Sequence, residues 1–180
     1  MKKNIVFILL ALSGMGLFAC HAKGVQETAS PFIPDSTVYK ILGKSLSEIL
    51  FNPSRVRCYA VKNVAQPRKE ELAFDQNFVC DTLISKLTKE ETAILQFLLL
   101  SSPDNYHESA AKVRSPYFPN LAFEFKKNRR VAYVLVSLSD FSWSIYYDDK
   151  IQFNYNYTNA DVIARFCNYY IQLKKGGKKK

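Results

Sequence analysis

The sequence predicts an α+β fold: an antiparallel sheet meander with helices packed on one face. Three observations predict it. From residue 121 to 157, apolar and polar residues alternate through LAFEF, RVAYVLVSL, FSWSIYY and IQFNYNY, joined by short polar turns, the pattern of half-buried strands in a meander. Before and after this block, apolar residues recur at helical spacing, so the helices need a sheet face to bury against. The chain has 180 residues, 48% hydrophobic and 14% aromatic, a length suited to one core.

In chain order, Ser36 is a candidate cap for a first helix carrying Val38, Ile41, Leu42, Leu46, Ile49 and Leu50 on one side. Gly43 weakens its middle and Asn52-Pro53 stops it. RVRCYAVKNV then alternates, with Val56, Cys58 and Ala60 inward and Arg55 and Arg57 outward. LAFDQNFVC is a weaker strand candidate. Thr88 and Glu91 form a capping box opening a helix through AILQFLLL, which Pro103 closes.

The last two strands alternate most cleanly. Phe141, Trp143, Ile145 and Tyr147 share one face of their strand, as do Ile151, Phe153, Tyr155 and Tyr157 of the next. This row is expected to be core, because a sheet of this size must bury one face. Paired residues share a face, so the register is expected to need an odd loop, Asp148 to Lys150, pairing Tyr147 with Ile151, Ile145 with Phe153, Trp143 with Tyr155 and Phe141 with Tyr157. Lys150 would then take a left-handed conformation. The opposite side, with Ser142, Ser144, Tyr146, Asn154 and Asn156, is expected to be wet and to offer a hydrogen-bonding partner surface. A final helix starts near Thr158 or Asn159 and carries Val162, Ile163, Phe166, Cys167, Tyr170 and Leu173 toward the sheet.

The amino terminus, MKKNIVFILLALSGMGLFAC, has two lysines before sixteen uncharged residues. A helical span needs about 20 apolar residues, so the segment is expected to be a secretory leader rather than a stable span. Lys2 and Lys3 form its positive region, Ile5 to Leu12 its apolar core, and glycines precede small residues near the cut. LFAC resembles the lipobox of bacterial lipoproteins, with Leu17 at −3, Ala19 at −1 and Cys20 as the residue whose thiol takes a diacylglyceryl group; Phe18 departs from the usual small residue. The alternative cut, after Ala22, would release a secreted soluble protein. The expected organisation is a lipoprotein signal peptide over 1–19, a polar tether over 20–35, one α+β domain over 36–173 and a basic tail over 174–180. His21 and Ala22 stand where an Asp would retain a lipoprotein at the inner membrane, so the expected place is the outer membrane, facing the periplasm, with lipid on Cys20 as the membrane partner.

The formal charge is +9, but two lysines belong to the leader and five to the tail KKGGKKK, which leaves about +2 on the body. That is an ordinary surface, and nucleic acid is not an expected partner. There are two histidines: His21 in the tether and His107 in DNYHES, which the pattern places in a surface loop. HExxH and CxxC are both missing, so no metal or other cofactor is expected. Ser109 to Lys112 fits S-x-x-K and SDF follows at Ser139, but the Lys-Thr-Gly element of that enzyme class is missing. Asp148 and Asp149 are paired carboxylates at a hairpin tip, where Asp serves turn geometry. With Cys20 acylated, Cys58, Cys80 and Cys167 remain, open either to a Cys58–Cys80 bridge in an oxidising compartment or to three buried thiols.

SPYFPNLAFEF and VLVSLSDFSWSIYYDDK, together with the lipobox, resemble small envelope lipoproteins of Bacteroidetes-type bacteria. The resemblance implies an envelope location and carries no assigned chemistry. Relatives of that type carry cysteines near the positions of Ser115 and Ser139, where this chain has serines, so a family disulfide is not implied. The expected role is a membrane-anchored envelope lipoprotein acting as a binding or accessory module with a protein partner in the envelope. The alternative is a secreted or lipid-anchored hydrolase whose site, with Ser109 or His107, is assembled from distant residues.

Overall fold

The computed structural model describes residues 34–75, 77–108 and 117–176. Cys20, the leader, Ser109 to Lys112, Ser115 and the last four residues lie outside them. The chain divides at Pro31, and the sheet and its helices all belong to the second unit.

Seven strands form one antiparallel sheet. In chain order they are β1 (Arg55–Asn63), β2 (Phe78–Lys86), β3 (His107–Glu108), β4 (Leu121–Lys127), β5 (Arg130–Ser137), β6 (Ser142–Tyr147) and β7 (Lys150–Asn156). Their spatial order is β2-β1-β4-β5-β6-β7-β3. Strands β4 to β7 are the expected meander, each paired with its successor. Strand β1 folds back onto β4, and the two-residue β3 closes the far edge against β7. Strand β2 is the other edge, and two register shifts against β1 break its regularity; such bulges discourage pairing with a further strand.

Helices α1 (Ser36–Phe51), α2 (Lys89–Leu95) and α3 (Ala160–Gly176) cover one face. Val38, Leu42 and Ile49 of α1, Leu95 and Leu99 near α2, and Ile163, Cys167 and Tyr170 of α3 meet Val56, Cys58, Phe123, Phe125, Val134, Val136, Trp143 and Ile145 in one core. The fold is therefore α+β with a strand meander. No helix among the described residues is long and apolar enough to cross a membrane.

Several local details differ from the sequence pattern. Asp35, not Ser36, caps α1, its carboxylate accepting the Thr37 N–H at 2.7 Å. That bond holds the Asp35 carboxyl below its ordinary range. Gly43 adopts φ 72°, ψ 166° and breaks α1 into two segments, a conformation glycine reaches without steric cost. The Thr88–Glu91 capping box is present in both directions, at 3.1 and 2.8 Å. After Leu95 the helix widens into a π-type turn, Gln96–Leu100, instead of running straight toward Pro103. His107 is exposed as expected but belongs to the edge strand β3. On α3, Val162 and Leu173 face outward, because a helix on a sheet buries a narrower arc than six apolar positions span.

The β6–β7 hairpin shows why its loop is not the odd one. Asp148 and Asp149 both have positive φ, 52° and 58°, the signature of a two-residue type I′ turn, whose twist matches that of the strands. Trp143 pairs with Tyr155 and Ile145 with Phe153, as parity demands, but Tyr147 pairs with Lys150 and Tyr146 with Ile151. The mismatch is absorbed by one extra residue, Gln152, in β7, a bulge. Ile151 consequently leaves the helix face and packs beside Tyr146 on the other side. Phe141 keeps its expected partner, the Tyr157 N–H donating to its carbonyl at 3.1 Å with the rings 6.2 Å apart, but it lies in the β5–β6 turn with φ 54° and is 51% exposed instead of core.

The strained residues are thus the two aspartates rather than Lys150. Asp149→Gly is expected to raise stability by up to about 1 kcal/mol in urea unfolding, whereas Lys150→Gly gains nothing.

Candidate functional site: a roofed sheet face and a cleft beside α3

The second face of the sheet is covered rather than wet. The connection from β1 to β2 returns across it, and an Asx turn at Asp75, whose carboxylate accepts the Asn77 and Phe78 N–H groups at 2.7 and 3.0 Å, turns Phe74 inward. The Phe74 ring lies 5.3 Å from those of both Tyr133 and Tyr146. This explains why LAFDQNFVC is not one strand: β2 begins at Phe78, and the residues before it form the roof. Farther along, the Tyr117 hydroxyl bonds the Ser144 hydroxyl, and Ser142 donates to Asp140 at 2.8 Å. Ser142, Ser144 and Tyr146, expected in solvent, are therefore buried; Asn154 is exposed and Asn156 half-buried. Polarity alternates along β6 as the sequence shows, but a serine is small enough to let an aromatic ring close over it.

At the start of β1 the same face carries a polar network. Glu124, buried on β4, accepts from Arg55 at 3.0 Å through Oε1, and from the Tyr59 and Tyr133 hydroxyls at 3.4 Å through Oε2. Arg57 in turn donates to the Tyr59 hydroxyl at 3.4 Å. Burial, then the neighbouring Glu124 charge, pushes the Tyr133 hydroxyl well above its ordinary pKa. The carboxylate is fully engaged in tying β1, β4 and β5 together.

On the helix face, at the other end of β1, a cleft of about 310 Å³ opens between β1, β2, the segment leading into β4 and the end of α3. Ala60, Phe78, Ile84, Phe118 and Ile171 form its apolar wall. Lys174 stands at the rim, bonded to Asp81 at 3.2 Å, and Phe118 packs edge-on against Phe78 at 5.8 Å while staying 40% exposed. The volume lies at the small end of ligand-binding clefts. No sequence signal marks it, since its walls come from four separate segments.

The cysteines do not meet as a Cys58–Cys80 pair. Cys58 faces the helices, whereas Cys80, which pairs with Val61, faces the roofed side. Residues on opposite faces of a sheet cannot be bridged without moving backbone, and all three cysteines of the domain are free thiols. Burial pushes Cys167 up to about 12, and Cys80 up to about 12 with the Glu124 and Asp81 charges adding, so both remain protonated and unreactive near neutrality. His107 pairs with Asn156 in the β3–β7 ladder. No group of three metal-ligating side chains occurs among the described residues.

Comparison with protein-family models finds no match, and none is found among curated proteins or solved structures.

Because Ser144 is buried against Tyr117, Ser144→Ala strands that hydroxyl and is expected to cost about 1 to 3 kcal/mol in a urea melt, whereas Asn154→Ala, exposed on the next strand, stays within about 0.5 kcal/mol.

Proposed function

We propose that this chain is an envelope lipoprotein, held through lipid on Cys20 at the periplasmic leaflet of the outer membrane, and that its α+β domain is a binding module. The observation that carries the binding role is the cleft beside α3. It leaves an aromatic ring, Phe118, half in solvent over an apolar floor, and places a charged pair, Lys174 and Asp81, on the rim. An apolar wall with a few polar groups at its mouth is the make-up of a binding site, and about 310 Å³ is room for one or two large side chains of a protein partner. The anchor is supported by LFAC behind a short apolar core and by the likeness to small envelope lipoproteins.

Two measurements test the two halves separately. Radiolabelled palmitate is expected to enter the wild-type protein and to be lost in Cys20→Ser; label retained in that variant, or a mature terminus at Lys23, contradicts the anchor. A photo-crosslinking residue at Phe118 in intact envelopes is expected to give one discrete protein adduct, with none from the same residue at the exposed Phe97, which lies outside the cleft. Equal labelling at both positions, or none at Phe118, contradicts the binding role of the cleft.

A further inference from the structure

The corner of the roofed face around Arg57 carries a charge arrangement that the fold compensates only in part. In the β1–β2 ladder Arg57 stands directly opposite Lys86, and in the β1–β4 ladder Arg55 stands directly opposite Lys126. Directly paired residues share a face and approach to about 5 Å, so two like-charge pairs lie side by side across three strands. Like charges in that relation are destabilising. Glu124 is the single carboxylate among them, and although Arg57 is its ladder partner, Glu124 is turned to Arg55, at 3.0 Å. Its other oxygen is occupied by two tyrosine hydroxyls. Arg57, Lys86 and Lys126 have no ion pair among the described residues.

We infer that this corner is an anion site that binds a phosphate group between Arg57 and Lys86, with Lys126 adding charge from the neighbouring strand. The planar fork of an arginine binds two oxygens of a phosphate at once, and a lysine beside it supplies a mobile point charge. Four cations around one carboxylate suit a multiply charged oxyanion better than a second carboxylate side chain, and a tetrahedral group reaches donors on adjacent strands spaced about 4.8 Å apart. The site is separate from the cleft: it lies on the other face of the sheet, at the opposite end of β1. The phosphate belongs either to a soluble ester or to a lipid headgroup, two sources with one recognition chemistry.

Thermal unfolding of the full chain in non-ionic detergent tests the inference. Saturating inorganic phosphate, compared with chloride at equal ionic strength, is expected to raise Tm by about 3 °C. Arg57→Gln and Lys86→Gln should each remove at least half of that rise, and Lys175→Gln, on the exposed side of α3, none of it. Lys86 is exposed, so its substitution does not endanger the fold; in chloride it should raise Tm, since it relieves the repulsion with Arg57. A rise produced by short-chain phosphatidylglycerol added to the micelles, and not by inorganic phosphate or short-chain phosphatidylcholine, assigns the group to an anionic lipid headgroup; a rise with inorganic phosphate assigns it to a soluble phosphate. No rise from either source, or a rise unchanged in both glutamine variants, overturns the site.

Discussion

One buried amide holds the helical layer to the sheet. Asn105, 1% exposed, donates through Nδ2 to the carbonyls of Leu98 and Leu99 at 3.0 and 3.1 Å, and its Oδ1 accepts from the N–H and hydroxyl of Thr158 at 3.0 and 3.1 Å. Its own carbonyl accepts the Trp143 indole N–H at 2.8 Å. A single residue thereby joins the π-type turn after α2, the start of β6 and the chain leading into α3. The need is physical: the last carbonyls of a helix have no partner within it, and a buried indole N–H requires an acceptor. Neighbouring side chains complete the same task, with Tyr106 Oη donating to Leu100 at 2.8 Å and Gln96 Nε2 to the Leu50 carbonyl at the end of α1 at 2.7 Å.

The aromatic core depends on this tie. With its indole anchored, Trp143 is fully buried and packs edge-on against Tyr106 at 5.1 Å, with Tyr155 at 5.2 Å. The helix face is thereby filled, and the sheet's other face receives the β1–β2 connection with Phe74 at its centre. A sheet covered on both sides offers partners its margins rather than its faces. The two places proposed for binding are accordingly at opposite ends of β1, one where α3 runs past the sheet and one where the exposed Lys86 stands beside the half-buried Arg57.

Much of the architecture was legible because it rests on periodicity. Alternation from residue 121 located the meander within a residue or two at each end, and the Thr88–Glu91 box located α2. What was hidden depends on contacts between distant segments. The polarity of Ser144 reads as solvent exposure unless one knows that Tyr117 lies over it. The choice between a two-residue turn and an odd loop was settled by a bulge at Gln152, which leaves no mark in composition. Asn105, in PDNY, reads as a turn residue, and only the packing of β6 against that turn gives it its role. Arg55 and Arg57 were visible as outward-facing cations, but their opposition to Lys126 and Lys86 depends on how β1 registers with β4 and β2, the latter a ladder with two shifts in it.

The most direct test of the Asn105 tie is hydrogen exchange at the indole of Trp143, the sequence's one tryptophan and hence an unambiguous probe. Removing the amide in Asn105→Ala leaves buried carbonyls and the Thr158 donors without partners, a loss of about 3 kcal/mol or more. Opening of the Trp143 environment should then be favoured by at least about 100-fold. Trp143 Nε1–H exchange under native conditions is therefore predicted to speed up by that factor in Asn105→Ala. Exchange at the wild-type rate in a folded Asn105→Ala protein would contradict the tie.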